Sequence, residues 1–166
     1  RGKVLDEAAL AKLARFERYR DVDGDGIPWR TLPGNRDPKG AYFTRGSGHD
    51  EAARYTEDPD AYVRGMDRLA KKFETAKLLV PPPVIDERPG AGVGIVAFGS
   101  SHSAVVETRD QLRDAGIPTS YLLLKALPFT AEVERFVQAH PRVYVVEQNR
   151  DGQMAELLRT ATQSDR

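Results

Sequence analysis

The stretch GIVAFGSS, residues 94–101, decides the fold of the second half of this chain. Its first five residues carry no charge, and a glycine and two serines follow them. This pattern is typical of a short buried strand that turns directly into a helix. Because a strand that is apolar on both sides needs cover on both faces, we expect residues 94–98 to form the central strand of a parallel sheet.

The residues after this stretch alternate between helical and strand patterns. The predicted elements are a helix over 103–115, a strand over 119–124, a helix over 130–139, a strand over 142–146 and a helix over 152–160. Strands that alternate with helices at this spacing indicate right-handed crossovers and a parallel sheet. We therefore predict an α/β fold, a three-layer sandwich with a mostly parallel sheet in the strand order 2-1-3.

The first half of the chain has the pattern of a helical, loop-rich arm. We predict a helix from about Asp6 to Tyr19, an irregular loop from about Arg20 to Asp58, and a helix from about Pro59 to Lys77. In the second of these helices one stripe carries Tyr62, Met66, Leu69 and Phe73. A loop this long inside a compact domain is usually functional or packed on protein that is absent, so we do not expect this half to be self-sufficient.

Prolines separate the two halves. PPP at 81–83 and ERPG at 87–90 cannot form a helix or a central strand, so residues 81–91 are predicted to be a linker. Residues 1–80 then form the arm, and residues 92–166 form the α/β domain.

Composition excludes several classes of function. The 166 residues contain 25 basic and 25 acidic side chains, so no net charge favours nucleic acid or an anionic membrane. No apolar run approaches the roughly 20 residues of a membrane helix. The absence of cysteine excludes thiolate zinc sites, iron–sulfur ligation and cysteine nucleophiles within this chain. The chain opens without methionine or an export signal, so we expect a cytoplasmic piece of a longer protein.

The stretch DVDGDGIP, residues 21–28, resembles the start of a calcium loop. A helix–loop–helix calcium site needs a glutamate at its twelfth position, which here is Leu32, and Pro33 prevents the exiting helix. We therefore predict a turn in which the aspartate side chains cap backbone amides, and no metal site.

Polar residues follow the predicted strands at one edge of the sheet. Two interpretations stay open for them: a crevice that holds an anion, or capping of the helices that begin there. His102 and His140 are expected at the surface. The crevice candidates are Gly99, Ser100 and Ser101 after the first strand, and Glu147, Asn149 and Gln153 after the third.

Five stretches, in this order, resemble the alpha subunit of 2-oxoacid:ferredoxin oxidoreductases, and the 2-oxoglutarate type most of all. The resemblance covers nearly the whole chain. The stretches are GIPWRTLPG (26–34), RGSGHDE (45–51), MDRLAKK (66–72), KALPF (125–129) and VVEQNRDGQ (145–153).

The resemblance implies that residues 1–80 are the tail of a pyrimidine-binding thiamine domain and that residues 92–166 form a transketolase C-terminal-like domain. The family's thiamine and substrate motifs are absent, so it implies no catalytic residue and no cofactor in this fragment, which should be inactive alone. For the holoenzyme it implies thiamine diphosphate, magnesium, an iron–sulfur cluster, coenzyme A, a beta subunit and ferredoxin.

Candidate contacts with substrate or with neighbouring domains are Arg30, Arg45, His49, Asp50 and Glu51. Arginine suits such contacts because its planar fork can hold a carboxylate or phosphate at two points. The alternative to a subunit fragment is a stand-alone α/β domain that binds a phosphorylated ligand, or regulates another protein, through the Gly99 turn.

Overall fold

The chain divides into two compact units, Arg1–Ala76 and Lys77–Arg166, which we call the N-terminal and C-terminal units. The computed structural model describes residues 2–43 and 46–163. Among these residues no helix is long and apolar enough to cross a membrane. That residues 1–80 belong to a thiamine domain stays a prediction.

The first helix, α1, covers only Glu7–Ala11, so the predicted helix up to Tyr19 was wrong. Asp6 begins it as expected of an N-cap, because its carboxylate accepts from the Ala9 N–H at 2.7 Å. The position at which α1 ends is determined by Lys39, a residue distant in sequence. The Lys39 ammonium donates to the carbonyl oxygens of Leu10, Ala11 and Leu13 at 3.1, 3.2 and 2.9 Å, so these carbonyls need no further helical turn.

The second helix, α2, covers Pro59–Lys77, as predicted. Asp58 caps it: its side chain accepts from the Asp60 N–H at 3.1 Å, and its carbonyl accepts from the Tyr62 N–H at 3.2 Å. The Arg68 guanidinium donates to the Gly26 carbonyl at 3.2 Å, and the Thr75 hydroxyl donates to the Asp25 carbonyl at 2.6 Å. The polar face of α2 therefore packs on the long loop.

The apolar stripe of α2, defined by Tyr62, Met66, Leu69 and Phe73, is mostly exposed. Tyr62 is 63% exposed, Met66 42% and Phe73 59%. Amphipathic helices of globular proteins normally bury such a stripe. In α2 the stripe is instead exposed within this unit, apart from half-buried Leu69.

The 21–28 turn confirms the capping interpretation. The Asp21 carboxylate accepts from the N–H groups of Asp25 and Gly26 at 3.1 and 2.9 Å. The Lys3 ammonium lies 2.5 Å from the Asp23 carboxylate and 2.6 Å from that of Asp25, and its hydrogen bonds lower the pKa of both carboxyl groups. The aspartates thus hold together the turn and the N-terminal segment that contains Lys3.

The C-terminal unit is the predicted α/β fold. Its strands are β1 (Val84–Asp86), β2 (Val93–Phe98), β3 (Thr119–Leu124) and β4 (Arg142–Val146), and its helices are α3 (His102–Asp114), α4 (Ala131–Ala139) and α5 (Gln153–Thr162). The sheet order is β1-β3-β2-β4, and β2 pairs in parallel with both β3 and β4. The predicted parallel core with 94–98 at its centre is confirmed.

Alternate residues of the central strand point into two apolar clusters, one on each face of the sheet. Val96 packs with Leu122 of β3, with Phe136 of α4 and with Leu158 of α5. On the opposite face, the cluster contains Ile95 and Ala97 of β2, Val105 of α3 and Tyr121 of β3. Helices therefore cover both faces, which gives the three layers expected from the sequence.

Strand β1 was not predicted, because it lies in the segment 81–91 that we expected to be a linker. It pairs antiparallel with β3 at the edge of the sheet, where a proline-rich segment is tolerated. Buried Arg109 of α3 fixes it: the guanidinium donates to the Asp86 carboxylate at 2.8 Å and to the Thr119 carbonyl at 2.9 Å. A long-range contact thus holds the edge strand.

The expected surface position of His140 was wrong. His140 is 4% exposed, its Nδ1 lies 2.8 Å from the Phe136 carbonyl oxygen, and its ring packs against the Phe136 ring at 4.5 Å between centroids. Gly94 makes room for both rings. A Cβ there would come within 2.9 Å of Phe136 Cε1 and 3.1 Å of His140 Cγ.

Candidate functional site

The predicted contact residues of the long loop divide into two places. His49 stacks on Tyr19, with 3.9 Å between ring centroids and 18° between the planes. Asp50 holds the turn that follows, because its carboxylate accepts from the N–H groups of Ala52 and Arg54 at 2.9 and 2.8 Å. Asp50 is therefore occupied in shaping the loop.

Glu51 links this loop to α2. Its carboxylate accepts from Arg64 Nε at 2.9 Å. A hydrogen bond from its own backbone N–H and the Arg64 guanidinium lower the pKa of Glu51. Since both side chains are largely exposed, the ion pair contributes little stability and mainly orients the loop.

Arg30 lies in the other place, beside the N-terminal segment. Its N–H donates to the Lys3 carbonyl at 3.0 Å, and its carbonyl accepts from the Leu5 N–H at 2.9 Å. The Arg30 side chain is exposed and does not line the cavities that His49 lines. Arg45 lies outside the described residues.

Arg68 of α2 was not among the predicted site residues, yet it lies beside His49. Both line a cavity of about 600 Å³, which we call the α2 groove, and an adjoining cavity of about 140 Å³. The groove runs between the loop segments 46–49 and 56–58 and the N-terminal half of α2. Ala61 and Gly65, at i−7 and i−3 from Arg68, are small residues on the same helical face, and this spacing could have indicated the cavity.

Two arginines, Arg18 and Arg68, lie over the same aromatic ring, that of Tyr19. The guanidinium carbon of Arg18 lies 5.1 Å from the centroid of the Tyr19 ring, and that of Arg68 lies 5.9 Å from it. Burial and the neighbouring Arg18 charge lower the pKa of Arg68. The Tyr19 ring partly offsets this repulsion through cation–π attraction.

Neither arginine forms an ion pair with a carboxylate in residues 2–43 or 46–163. Arg18 donates to the Trp29 carbonyl at 3.4 Å and Arg68 to the Gly26 carbonyl at 3.2 Å. Each guanidinium has five N–H donors, so most of its donor capacity is left for another group. The cluster of Arg18, Tyr19, His49 and Arg68 can therefore bind an oxyanion.

The polar residues at the strand ends of the C-terminal unit cap a helix. The Glu147 carboxylate accepts from the N–H groups of Met154 and Ala155 at 2.9 and 3.1 Å, and Asn149 accepts from the Gln153 N–H at 3.1 Å. Burial alone would raise the pKa of Glu147, but these N–H groups and the Asn149 amide lower it. The contacts show that Glu147 and Asn149 cap α5, and that these residues also line a ligand crevice stays a prediction.

Gln148, between the two capping residues, is the side chain that reaches the turn after β2. Its amide donates to the buried Ser101 hydroxyl at 3.4 Å. Gly99 has φ +61, a left-handed conformation that favours glycine, and Ser100 is exposed. That this turn binds a ligand stays a prediction.

No group of three or more histidine, cysteine, aspartate or glutamate side chains that could hold a metal ion occurs in the described part of the chain. Within the described residues, an oxyanion in the α2 groove is therefore bound by side chains and not by a metal ion. This arrangement does not specify a reaction.

Comparisons with known proteins agree on one kind of enzyme. The chain is 33% identical over 167 residues to subunit alpha of 2-oxoacid:ferredoxin oxidoreductase 2 from Aeropyrum pernix, a match that covers 98% of this chain and 25% of that subunit. No protein-family model matches. The chain thus spans about a quarter of the length of this curated relative.

One solved structure matches the fold over nearly the whole chain. A 2-oxoglutarate:ferredoxin oxidoreductase from Magnetococcus marinus, with 2-oxoglutarate, coenzyme A and succinyl-CoA bound, superposes with a TM-score of 0.79 at 23% identity, over 96% of this chain and 27% of that one. The alpha chain of a probable 2-oxoacid ferredoxin oxidoreductase from Thermoplasma acidophilum is 27% identical over 51% of this chain, with a TM-score of 0.33 that carries no structural argument. The sequence match to the Aeropyrum pernix subunit, over 98% of this chain, shows that the chain belongs to the family of 2-oxoacid:ferredoxin oxidoreductase alpha subunits.

Proposed function

We propose that this chain is the C-terminal part of the alpha subunit of a thiamine-dependent oxidoreductase that acts on 2-oxoglutarate. The enzyme converts the 2-oxoacid and coenzyme A to acyl-CoA and CO2 and passes the electrons to ferredoxin. The observation that carries this proposal is the sequence match along 98% of the chain. The ligands of the Magnetococcus marinus enzyme support 2-oxoglutarate as the substrate.

The residues of this chain do not fit the cofactors of such an enzyme. An iron–sulfur cluster needs cysteine thiolates, which the chain lacks. Among the described residues no group of three or more histidine, cysteine, aspartate or glutamate side chains could hold a magnesium ion. We therefore assign thiamine diphosphate, magnesium and the cluster to other parts of the holoenzyme, and we derive no catalytic step through them here.

The role left to this chain is structural. Exposed apolar side chains on α2, and Arg68 at the α2 groove, which forms no ion pair within the described residues, suit contacts with the remainder of the complex. The beta subunit and ferredoxin as partners, and the cytoplasm as the location, stay predictions. No contact in the Gly99 turn favours the alternative of a stand-alone domain that binds a phosphorylated ligand.

The proposal predicts activity for the complete enzyme and none for this chain alone. The complete enzyme should reduce methyl viologen with 2-oxoglutarate and coenzyme A, since the thiamine cofactor supplies the carbanion chemistry. The 166-residue chain, given thiamine diphosphate, magnesium and coenzyme A, should show no turnover. The measurement is anaerobic absorbance of the reduced dye.

Pyruvate is the matched control substrate in the same assay. Turnover of pyruvate but not of 2-oxoglutarate would contradict the substrate assignment. Turnover by the isolated chain would contradict its structural role.

A further inference from the structure

The α2 groove has one apolar wall that the N-terminal unit does not cover. Tyr62 and Met66 line it, and Phe73 continues the same stripe beyond it. Contiguous apolar side chains at a rim of polar groups mark a surface that another protein segment buries. Tyrosine, methionine and arginine are also the residue types enriched at such surfaces, and the groove has all three.

The charge at the groove indicates what the covering segment carries. The Arg18 charge lies close enough to lower the pKa of Arg68, and the charge of nearby Asp21 raises it in part, but neither arginine forms an ion pair with a carboxylate within the described residues. Two like charges in a half-buried position repel each other, and an added carboxylate would neutralise this repulsion. Arg68 can hold a carboxylate at two points.

The acidic side chains around the groove are already engaged. Asp21 accepts from backbone N–H groups, Glu51 pairs with Arg64, Asp58 caps α2, and Glu57 accepts from the Tyr55 hydroxyl. A carboxylate that forms an ion pair with Arg68 must therefore come from outside this set.

The covering protein can come from the same polypeptide, because the chain spans only 25% of its curated relative. We infer that the α2 groove is covered in the complete alpha subunit by an apolar segment, outside these 166 residues, whose Asp or Glu side chain pairs with Arg68. This inference rests on the proposed function, since it takes the chain as part of a longer alpha subunit. The segment buries Tyr62 and Met66 and offsets one of the two arginine charges.

Cysteine labelling in the complete enzyme tests the cover. The chain has no cysteine of its own, so Met66→Cys places one thiol in the groove and Lys71→Cys places a control thiol on an exposed part of the same helix. The rate of alkylation is read for each peptide by mass spectrometry. We expect Cys at 66 to react about tenfold or more slowly than Cys at 71, because reaction requires the cover to open. Equal rates would overturn the inference.

Charge reversal tests the carboxylate. Added to Met66→Cys, Arg68→Glu should raise the labelling rate at 66 about tenfold, because the new charge repels the proposed partner. Lys71→Glu, a reversal of equal size on the same helix, should leave the rate unchanged. Arg68→Gln keeps an amide donor for the Gly26 carbonyl, so it serves if Arg68→Glu fails to fold. Labelling at 66 that responds to neither Arg68 variant would overturn the role of the carboxylate.

Photo-crosslinking identifies the segment that covers the α2 groove. A benzoylphenylalanine at position 66 should crosslink to a peptide of the alpha polypeptide that lies outside these 166 residues, and a crosslink within the 166 residues would overturn the assignment. A crosslink to the beta subunit, or loss of protection at 66 on dialysis against buffer free of small anions, would overturn the assignment to the same chain. Dye reduction measured on the same samples separates the two proposals. An active enzyme with an unprotected Cys at 66 contradicts only the proposal that the α2 groove is covered. An enzyme that is protected at 66 but inactive contradicts only the proposed function.

Discussion

Gly26→Ala is expected to destabilise the N-terminal unit by about 2–5 kcal/mol, from the left-handed conformation and overpacking together. Gly26 has φ +77, where a Cβ clashes with its own backbone. A Cβ there would also lie 2.4 Å from the Lys72 nitrogen and 2.8 Å from the Arg68 carbonyl oxygen. These atoms belong to the backbone of α2, so they cannot move aside as a flexible side chain can. The turn must therefore separate from the helix or the helix must distort.

The single tryptophan of the chain reports this change. Trp29 lies in the same loop and donates from its indole N–H to the Asp23 carboxylate at 2.8 Å, so its fluorescence should follow unfolding of this unit in urea. Gly24→Ala is the matched control, because Gly24 has φ +73 but its Cβ would meet only the end of the Lys71 side chain at 3.9 Å. The control should cost only about 1–2 kcal/mol, the conformational part alone. Equal losses for the two variants would show that close packing on α2 is unimportant.

Phe136→Ala is expected to destabilise the C-terminal unit by about 3–5 kcal/mol, the usual cost of removing a fully buried phenylalanine ring. Phe136 is 1% exposed and belongs to the cluster between the sheet and helices α4 and α5. Its removal leaves a cavity beside Gly94, where no side chain can fill the space. Urea unfolding followed by far-UV circular dichroism measures the loss.

Tyr144→Ala is the control for Phe136→Ala, since Tyr144 is 53% exposed on β4 and should cost much less. A second comparison uses the close contact of Phe136 with Gly94. Gly94→Ala should be destabilising in the wild-type chain and less so in the Phe136→Ala background, where the obstructing ring is gone. Additive losses in this double-mutant cycle would mean that Gly94 is not needed for the ring.

The sequence by itself determined the core of the C-terminal unit and the length of α2. Residues 94–98 are the central strand because an uncharged run must be buried on both faces, and burial of apolar surface follows directly from residue type. The Asp21 turn was predictable for a similar reason, since an aspartate caps amides only a few residues away. Such local rules depend on neighbours in the chain.

Features that depend on distant partners were not predictable. Helix α1 ends early because Lys39 satisfies its carbonyls, and strand β1 exists because Arg109 holds it to β3. The candidate site has the same origin, because Arg68, Tyr19 and His49 are far apart in sequence and meet only when the long loop folds onto α2. The long loop also decided which face of α2 lies inward, because its backbone carbonyls bind the polar face of the helix. The apolar stripe was located correctly from its periodicity, but it is mostly exposed on this unit.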